Sequence, residues 1–249
     1  MHQWLLLGGA GLLAGTMNAV AGGGSFVSLP ALVAAGVPSL GANASSTLAL
    51  LPGAFTSGFA YRRNFRTFSD MSIRVLLALS LAGGLVGALL LLVTPQHIFD
   101  AALPWLLLIG STTFAFGRTA GRWLLARVRI SPFVSLGIQF LLGVYGGYFG
   151  GAVGIMMMAA WSLLGATDLH AMNASRTVIV GATNAVAAVI FIIGGLIVWP
   201  QTLIMLVAAS IGGYAGAAVT RTLDPEKARL VICALNFTMT ALFFWRAYS

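Results

Sequence analysis

Long stretches of this chain carry no charged residue. Asp, Glu, Lys and Arg are absent from Gln3 to Tyr61, from Ile130 to Thr167 and from Thr177 to Thr220. One helix needs about 20 apolar residues to cross the hydrocarbon core of a bilayer, so each stretch has room for more than one crossing. The pattern predicts a polytopic membrane protein.

The apolar stretches divide into ten segments, five in each half of the chain. They cover approximately residues 4–21, 25–36, 43–61, 72–94 and 98–117, and then 133–149, 152–165, 173–197, 201–221 and 227–245. Thr94-Pro95, Ser131-Pro132 and Asp224-Pro225 each place a capping residue before a proline, which is typical of a helix start. Transmembrane β-strands would instead show alternating segments of about 10 residues. The segments are therefore predicted to be helices, with eight to ten of them in the membrane.

Three short motifs recur in the same order in both halves. They are the glycines at 11, 15 and 22–24 with those at 143, 147, 150, 151 and 154; Asn43-Ala-Ser-Ser-Thr47 with Asn173-Ala-Ser-Arg-Thr177; and the glycines at 83, 84 and 87 with those at 212, 213 and 216. The offsets of 132, 130 and 129 residues are nearly constant, which indicates a duplication. We predict a first transmembrane repeat at 1–118, a basic cytoplasmic linker at 119–131 and a second repeat at 132–249.

Basic residues mark the loops that should face the cytoplasm. They cluster after the third segment, after the fifth segment and around the start of the tenth, at Arg62, Arg63 and Arg66, at Arg118, Arg122, Arg127 and Arg129, and at Arg221, Lys227 and Arg229. The loop Thr94–Asp100 has no Lys or Arg. By the positive-inside rule, the third segment runs inward and its counterpart runs outward, so the repeats are predicted to be inverted. Arg246 then falls on the outer side, against the rule.

Composition agrees with a membrane protein and excludes other classes. Hydrophobic residues make up 59% of the chain and charged residues 7%, against about 25% charged in soluble domains. A net charge of +8 would suggest nucleic acid in a soluble protein, but arginines in short loops account for it, so no nucleic-acid partner is predicted. With Cys233 alone, neither a disulfide framework nor a cysteine metal site is expected, and no cofactor is predicted.

The paired glycine breaks are the main candidates for a solute site. Each break separates an apolar segment of about 17 residues from one of about 12, which is short for a full span. Transporters with inverted repeats bind solutes near the midplane, where broken helices expose backbone groups. A helix that starts after a break directs N–H groups and its positive dipole end at the site, which suits an anion. Alternatively, these glycines serve only close helix packing.

The repeated Asn-Ala-Ser-x-Thr motif adds side chains to this candidate site. The motif is predicted to begin the next helix in each half; alternatively, Asn43 and Asn173 are plain N-caps and Arg176 is a cytoplasmic anchor. Asn18 and Asn184 are lesser candidates. The predicted solute-binding residues are Gly22, Gly23, Gly24, Ser25, Asn43, Ser45, Thr47, Gly150, Gly151, Gly154, Asn173, Ser175, Arg176 and Thr177.

An enzyme is not expected. A serine nucleophile such as Ser25 needs a base within reach, and no His or Lys lies within an apolar segment, apart from Lys227 at the very start of the tenth. The chain also lacks the His-Glu-x-x-His motif of metalloproteases. A transporter is therefore favoured, and a passive channel is the alternative that the sequence does not separate from it.

These motifs resemble the TauE/SafE family of membrane permeases. The resemblance lies in Gly11 and Gly15, the break at 22–24, Pro30, the pair Ala44 and Thr47, and the glycine cluster at 143–154, and it spans nearly the whole chain. It implies a multi-pass inner-membrane transporter of sulfur-containing anions such as sulfite or organosulfonates. Its partners would then be the lipid bilayer and a small anionic solute; a transporter of an unrelated solute is the alternative.

Overall fold

The protein is built from α-helices. The computed structural model describes residues 2–61, 72–125, 131–163, 168–219 and 225–248, and every regular element in these ranges is a helix. In chain order they are α1 His2–Ala21, α2 Ser25–Ala34, α3 Ser39–Tyr61, α4 Ile73–Val93, α5 Gln96–Leu125, α6 Pro132–Tyr148, α7 Val153–Leu163, α8 Leu169–Ile193, α9 Trp199–Val219 and α10 Pro225–Tyr248. Each matches one predicted segment, so the predicted all-α fold is confirmed.

Four of the described helices are long and apolar enough to cross a membrane. These windows lie in α4, α5, α8 and α10, at residues 73–93, 96–117, 171–193 and 230–248. The outside of the bundle exposes large apolar side chains, among them Leu90, Ile193 and Leu230. In water such a surface would be unstable, whereas in lipid it is the expected exterior.

The short helices α2 and α7 each fold back along the helix before them. Gln3 Nε2, near the start of α1, donates a hydrogen bond of 2.6 Å to the carbonyl of Ala35, just after α2. In the second half, Trp161 Nε1 of α7 donates to Gln139 Oε1 in the first part of α6, at 2.8 Å. Both short helices therefore run back alongside the helix that precedes them.

Corresponding helices of the two halves run in opposite directions. The hydroxyl of Ser45, early in α3, accepts a 3.1 Å hydrogen bond from the amide of Val198, which follows α8. Trp105 Nε1, early in α5, donates to the hydroxyl of Tyr248 at the end of α10, at 3.0 Å. An inverted duplication requires this antiparallel arrangement of α3 with α8 and of α5 with α10. The inverted repeat itself stays a prediction.

Glycines allow helices from different halves to touch backbone to backbone. In the contact of α1 with α9, a Cβ built on Gly15 would overlap the carbonyl of Ala209. In the contact of α4 with α6, a Cβ on Gly147 would overlap the carbonyl of Gly84. The first helix of each half therefore packs on the fourth helix of the other half, through the glycines of the first and third repeated motifs.

Two expected helix starts were wrong. α3 begins at Ser39 and α8 at Leu169, so Asn43 and Asn173 lie in the second turn and are not N-caps. Asp168 caps α8 instead, because its Oδ1 accepts from the amide of Ala171 at 3.0 Å. The polar motif resembled a boundary only because it interrupts an apolar run. It lies inside the helix because its polar groups face other helices.

The proline-based helix starts gave mixed results. Ser131 caps α6 as predicted, with its hydroxyl accepting from the amide of Val134. Thr94 does not cap α5, because its hydroxyl donates to the carbonyl of Leu90 within α4, at 2.7 Å. α5 continues to Leu125, into the predicted linker. Asp224, Arg221 and the basic residues at 62–66 and 127–129 lie outside the described residues.

Substitution of the interhelical glycines tests this packing. We expect Gly15→Ala and Gly147→Ala each to lower the free energy of unfolding by about 1–3 kcal/mol, because the added Cβ forces packed backbones apart. Gly9→Ala and Gly137→Ala are matched controls on the same two helices, since a Cβ there meets nothing within 4 Å. Thermal unfolding in detergent measures the difference. Equal melting temperatures for all four variants would contradict the packing.

Candidate functional site

The two helix breaks share one backbone feature. Residues 22–24 separate α1 from α2, and residues 149–152 separate α6 from α7. Gly22 and Gly150 both have a φ of 78°, a left-handed conformation that glycine adopts at no steric cost. The second break differs in that Ala152, with a φ of 59°, is also left-handed. The chain reverses at both points because of these residues.

The second break faces α3 of the first half. Asn43 Nδ2 donates a 2.9 Å hydrogen bond to the carbonyl of Tyr148, the last residue of α6. That carbonyl is one of those that a helix end leaves without an intrahelical partner. A Cβ built on Gly150 would lie 3.9 Å from Thr47 Oγ1 and 3.8 Å from Asn184 Oδ1. Asn43 thus holds the break in place, while Thr47 and Asn184 line it.

Asn184 is a stronger candidate than its sequence context indicated. Its Oδ1 atom is buried and has no hydrogen-bond partner among the described residues. A buried amide oxygen without a donor costs free energy unless water or a ligand supplies one. Because this atom is directed at Gly150, the second break is the place where such a group would bind.

The first break faces Arg176 of the second half. A Cβ built on Gly154 would lie 2.9 Å from Arg176 Cδ, and one built on Gly22 would lie 3.6 Å from Arg176 Nη1. The side chain therefore crosses α7 at Gly154, where only glycine leaves room, and carries its guanidinium to Gly22. This placement favours a role in the site over the alternative of a cytoplasmic anchor.

Helix α8 connects the two breaks. Arg176 and Asn184 are eight residues apart on it, which corresponds to about 12 Å along a helix axis. Each break is thus lined by side chains of the opposite half: Thr47 of α3 at Gly150, and Arg176 of α8 at Gly22. A solute bound between them would contact both halves.

Several predicted site residues have structural contacts. A Cβ on Gly24 would overlap the carbonyl of Ala14 and one on Gly151 would overlap the ring of Phe149, whereas one on Gly23 would make ordinary contacts with Ile232 and Phe114. The hydroxyl of Ser45 accepts a hydrogen bond from the amide of Val198, in the loop after α8. The hydroxyl of Thr177 donates within its own helix to the carbonyl of Asn173, at 2.8 Å.

The remaining predicted residues have less defined surroundings. Ser25 is the first residue of α2 and is half-buried, as is Asn173 on α8. Ser175 is fully buried, and its hydroxyl has no hydrogen-bond partner in the described part of the chain. No contact with either break is described for these three side chains.

Two features escaped the sequence analysis. One is a cavity of about 500 Å³ at the end of the bundle where α3 and α5 start, lined in part by Gln96, His97, Asp100 and Arg246. The other is the fully buried Asn236 on α10. The only sequence signal for the cavity was the position of Arg246 on the predicted outer side.

Helices with apolar exteriors and helices interrupted at glycines are typical of membrane transporters. The family model for the sulfite exporter TauE/SafE matches residues 7–243. The chain therefore belongs to this family, which is one of transporters and not of enzymes. The predictions of a membrane transporter and of a multi-pass location in the cell membrane are confirmed.

Curated bacterial relatives cover nearly the whole chain. A probable membrane transporter protein of Haemophilus influenzae is 29% identical over 240 residues, which span 93% of this chain and 90% of the relative. The probable membrane transporter protein ORF9 of Sinorhizobium sp. is 28% identical, spanning 97% and 93%. The probable membrane transporter protein YfcA of Escherichia coli K12 is 26% identical, spanning 96% and 88%. No solved structure matches the chain.

Two substitutions in α3 distinguish the residue that supports the second break from the residue that only lines it. We expect Asn43→Leu to lower the free energy of unfolding by about 1–3 kcal/mol, because it leaves the carbonyl of Tyr148 without its donor. Thr47→Val should change stability little, because the Thr47 hydroxyl donates to the carbonyl of Asn43 in its own helix. Thermal melting of both variants in detergent measures this. A wild-type melting temperature for Asn43→Leu would contradict the assignment.

Proposed function

We propose that this transporter carries a small sulfur-containing anion, such as sulfite or an organosulfonate, bound between the two glycine breaks. The observation that carries the proposal is the position of the Arg176 guanidinium beside Gly22. The description of the matching family as a sulfite exporter supports the substrate class.

The polar groups near the breaks suit an anion with oxygen atoms. Arg176 is the one charged residue among the fourteen candidates, and a guanidinium binds oxyanions through paired N–H donors. The starts of α2 and α7 add backbone N–H groups and the positive ends of two helix dipoles.

Inverted repeats explain how such a site would open to either side. In our proposal, residues 1–118 and 132–249 form the two repeats, and they exchange roles as one or the other side opens. The antiparallel arrangement of α3 with α8 supports this relation. Because each break is lined by the opposite half, a movement of one half against the other would change both sides of the site together.

Flux into proteoliposomes tests the proposal. We expect saturable movement of sulfite, thiosulfate or sulfoacetate by the purified protein, with acetate and chloride as control solutes. Movement without saturation would indicate a channel. Movement of none of the sulfur anions would contradict the substrate class.

Arg176 provides the matched test of the site. Loss of one charge-assisted hydrogen bond is worth about 1.5–3 kcal/mol, so Arg176→Gln should lower flux about 10- to 100-fold, and Arg176→Lys should retain part of it. Arg74→Gln is the control, because Arg74 is exposed in the first turn of α4. Equal flux in Arg176→Gln and Arg74→Gln would remove Arg176 from the site.

A further inference from the structure

Asn236, in the middle of α10, is an unsatisfied amide in the core of a membrane protein. Its side chain is 0% exposed, and neither Nδ2 nor Oδ1 has a hydrogen-bond partner in the described ranges. Burying an amide without partners costs free energy, and a bilayer offers no bulk water in compensation. Such a group requires an explanation.

A second buried amide, that of Gln139, has hydrogen-bond partners and so contrasts with Asn236. Gln139 of α6 is equally buried, but its Nε2 donates to Ser80 Oγ at 2.7 Å and its Oε1 accepts from Trp161 Nε1 at 2.8 Å. These bonds join α4, α6 and α7, so Gln139 has a structural role with all of its bonds internal. Asn236 has no comparable bonds, and structural support does not explain it.

Two buried hydroxyls lie beside Asn236 in the contact between α5 and α10. Ser111 Oγ of α5 and Thr240 Oγ1 of α10 are 3.1 Å apart, and Thr240 also donates to the carbonyl of Asn236 at 2.8 Å. Both side chains are at most 3% exposed. We refer to Ser111, Asn236 and Thr240 as the seam cluster.

The inner end of the seam meets the first glycine break. Ile232 lies one turn before Asn236 on α10, and Phe114 lies three residues after Ser111 on α5. A Cβ built on Gly23 would be 3.6 Å from Ile232 Cγ2 and 3.8 Å from Phe114 Cε2. The seam cluster is therefore one helical turn from this break.

The outer end of the seam meets the cavity. Phe243, three residues after Thr240, lines the cavity of about 500 Å³ together with Leu103 of α5. Val33, near the end of α2, lines it as well. Because α2 starts at the break and ends at the cavity, it runs alongside the seam over the same distance.

The cavity lining includes a cation, an acid and an imidazole. Arg246 and His97 line it, and Arg246 stands on the predicted outer side against the positive-inside rule. The carboxylate of Asp100, which also lines the cavity, is engaged, because Ser39 Oγ and Gln96 Nε2 both donate to its Oδ1. Arg246 therefore lies at the cavity, at the outer end of the seam.

We propose that the solute passes between the first glycine break and the outer cavity along the seam of α5 and α10, which Ser111, Asn236 and Thr240 line. This inference rests on the proposed function, since the ligand is the same small oxyanion, which would accept hydrogen bonds from the Asn236 amide and the Ser111 hydroxyl, while the Thr240 hydroxyl donates to the carbonyl of Asn236. The seam is closed in this structure, so passage requires α10 to separate from α5.

Among the four long apolar helices, α10 has the smallest buried fraction. Only 17% of its apolar window is buried, against 33% to 39% in the corresponding windows of α4, α5 and α8. Separating it from α5 therefore removes less packing than moving any of the other three helices.

Single-cysteine labelling tests the route without knowledge of the solute. Cys233 is the only cysteine, so Cys233→Ala provides the background. We expect a charged, membrane-impermeant methanethiosulfonate reagent to label Asn236→Cys and Thr240→Cys, and to leave Phe237→Cys, which is exposed towards lipid, unlabelled. Labelling at cavity position Phe243→Cys without any at Asn236→Cys would overturn the proposal.

Comparison of flux with stability tests the role of the amide. Asn236→Leu should lower flux at least about 10-fold and keep or raise the melting temperature, because it removes an unsatisfied group. Gln139→Leu, the matched variant, should lower the melting temperature because it removes the two hydrogen bonds that join Gln139 to Ser80 and Trp161. Wild-type flux in Asn236→Leu, or a drop in its melting temperature as large as in Gln139→Leu, would overturn the inference. If the wild type moves no sulfur anion, the proposed substrate class fails while the labelling still decides the route.

Discussion

Backbone contact between glycine-bearing helices is the constraint on which the rest of the structure depends. A lipid environment supplies no hydrophobic force to bring helices together, so close van der Waals packing must do so. Here that packing joins α1 to α9 and α4 to α6, and in both pairs the two helices come from different halves. The halves are therefore interlocked. α3 and α8, which carry the repeated polar motif, are held where each can reach the helix break of the opposite half.

The two halves share a framework, but their site chemistry differs at one pair of positions. Ser46 in the first half corresponds to Arg176 in the second. The hydroxyl of Ser46 forms a short, buried hydrogen bond of 2.6 Å with Ser28 of α2, so it fastens two helices together. Arg176 instead extends across Gly154 to Gly22. Of these two positions only the second carries a cation, so the anion proposed here would be bound asymmetrically by the two halves.

Much of the fold follows from local patterns in the sequence, whereas much of the site does not. The ten helices were predicted because apolar runs are local signals, and Ser131 was found as a cap for the same reason. The starts of α3 and α8 were missed because a polar motif inside a membrane helix resembles a boundary. The Arg176 side chain extends to Gly22 only because Gly154, in another helix, leaves room for it. Asn236 differs from Gln139 in having no hydrogen-bond partner among the described residues. Both facts require the tertiary structure.

The central claim is that an oxyanion binds between the two glycine breaks, at the Arg176 guanidinium. The most direct test is a crystal structure with bound selenite, a heavier analogue of sulfite, located by its anomalous scattering. The account predicts an anomalous peak within hydrogen-bonding distance of the Arg176 guanidinium, beside Gly22, and its loss in Arg176→Gln. A peak confined to the outer cavity near Arg246, or none in a protein that transports sulfite, would contradict it.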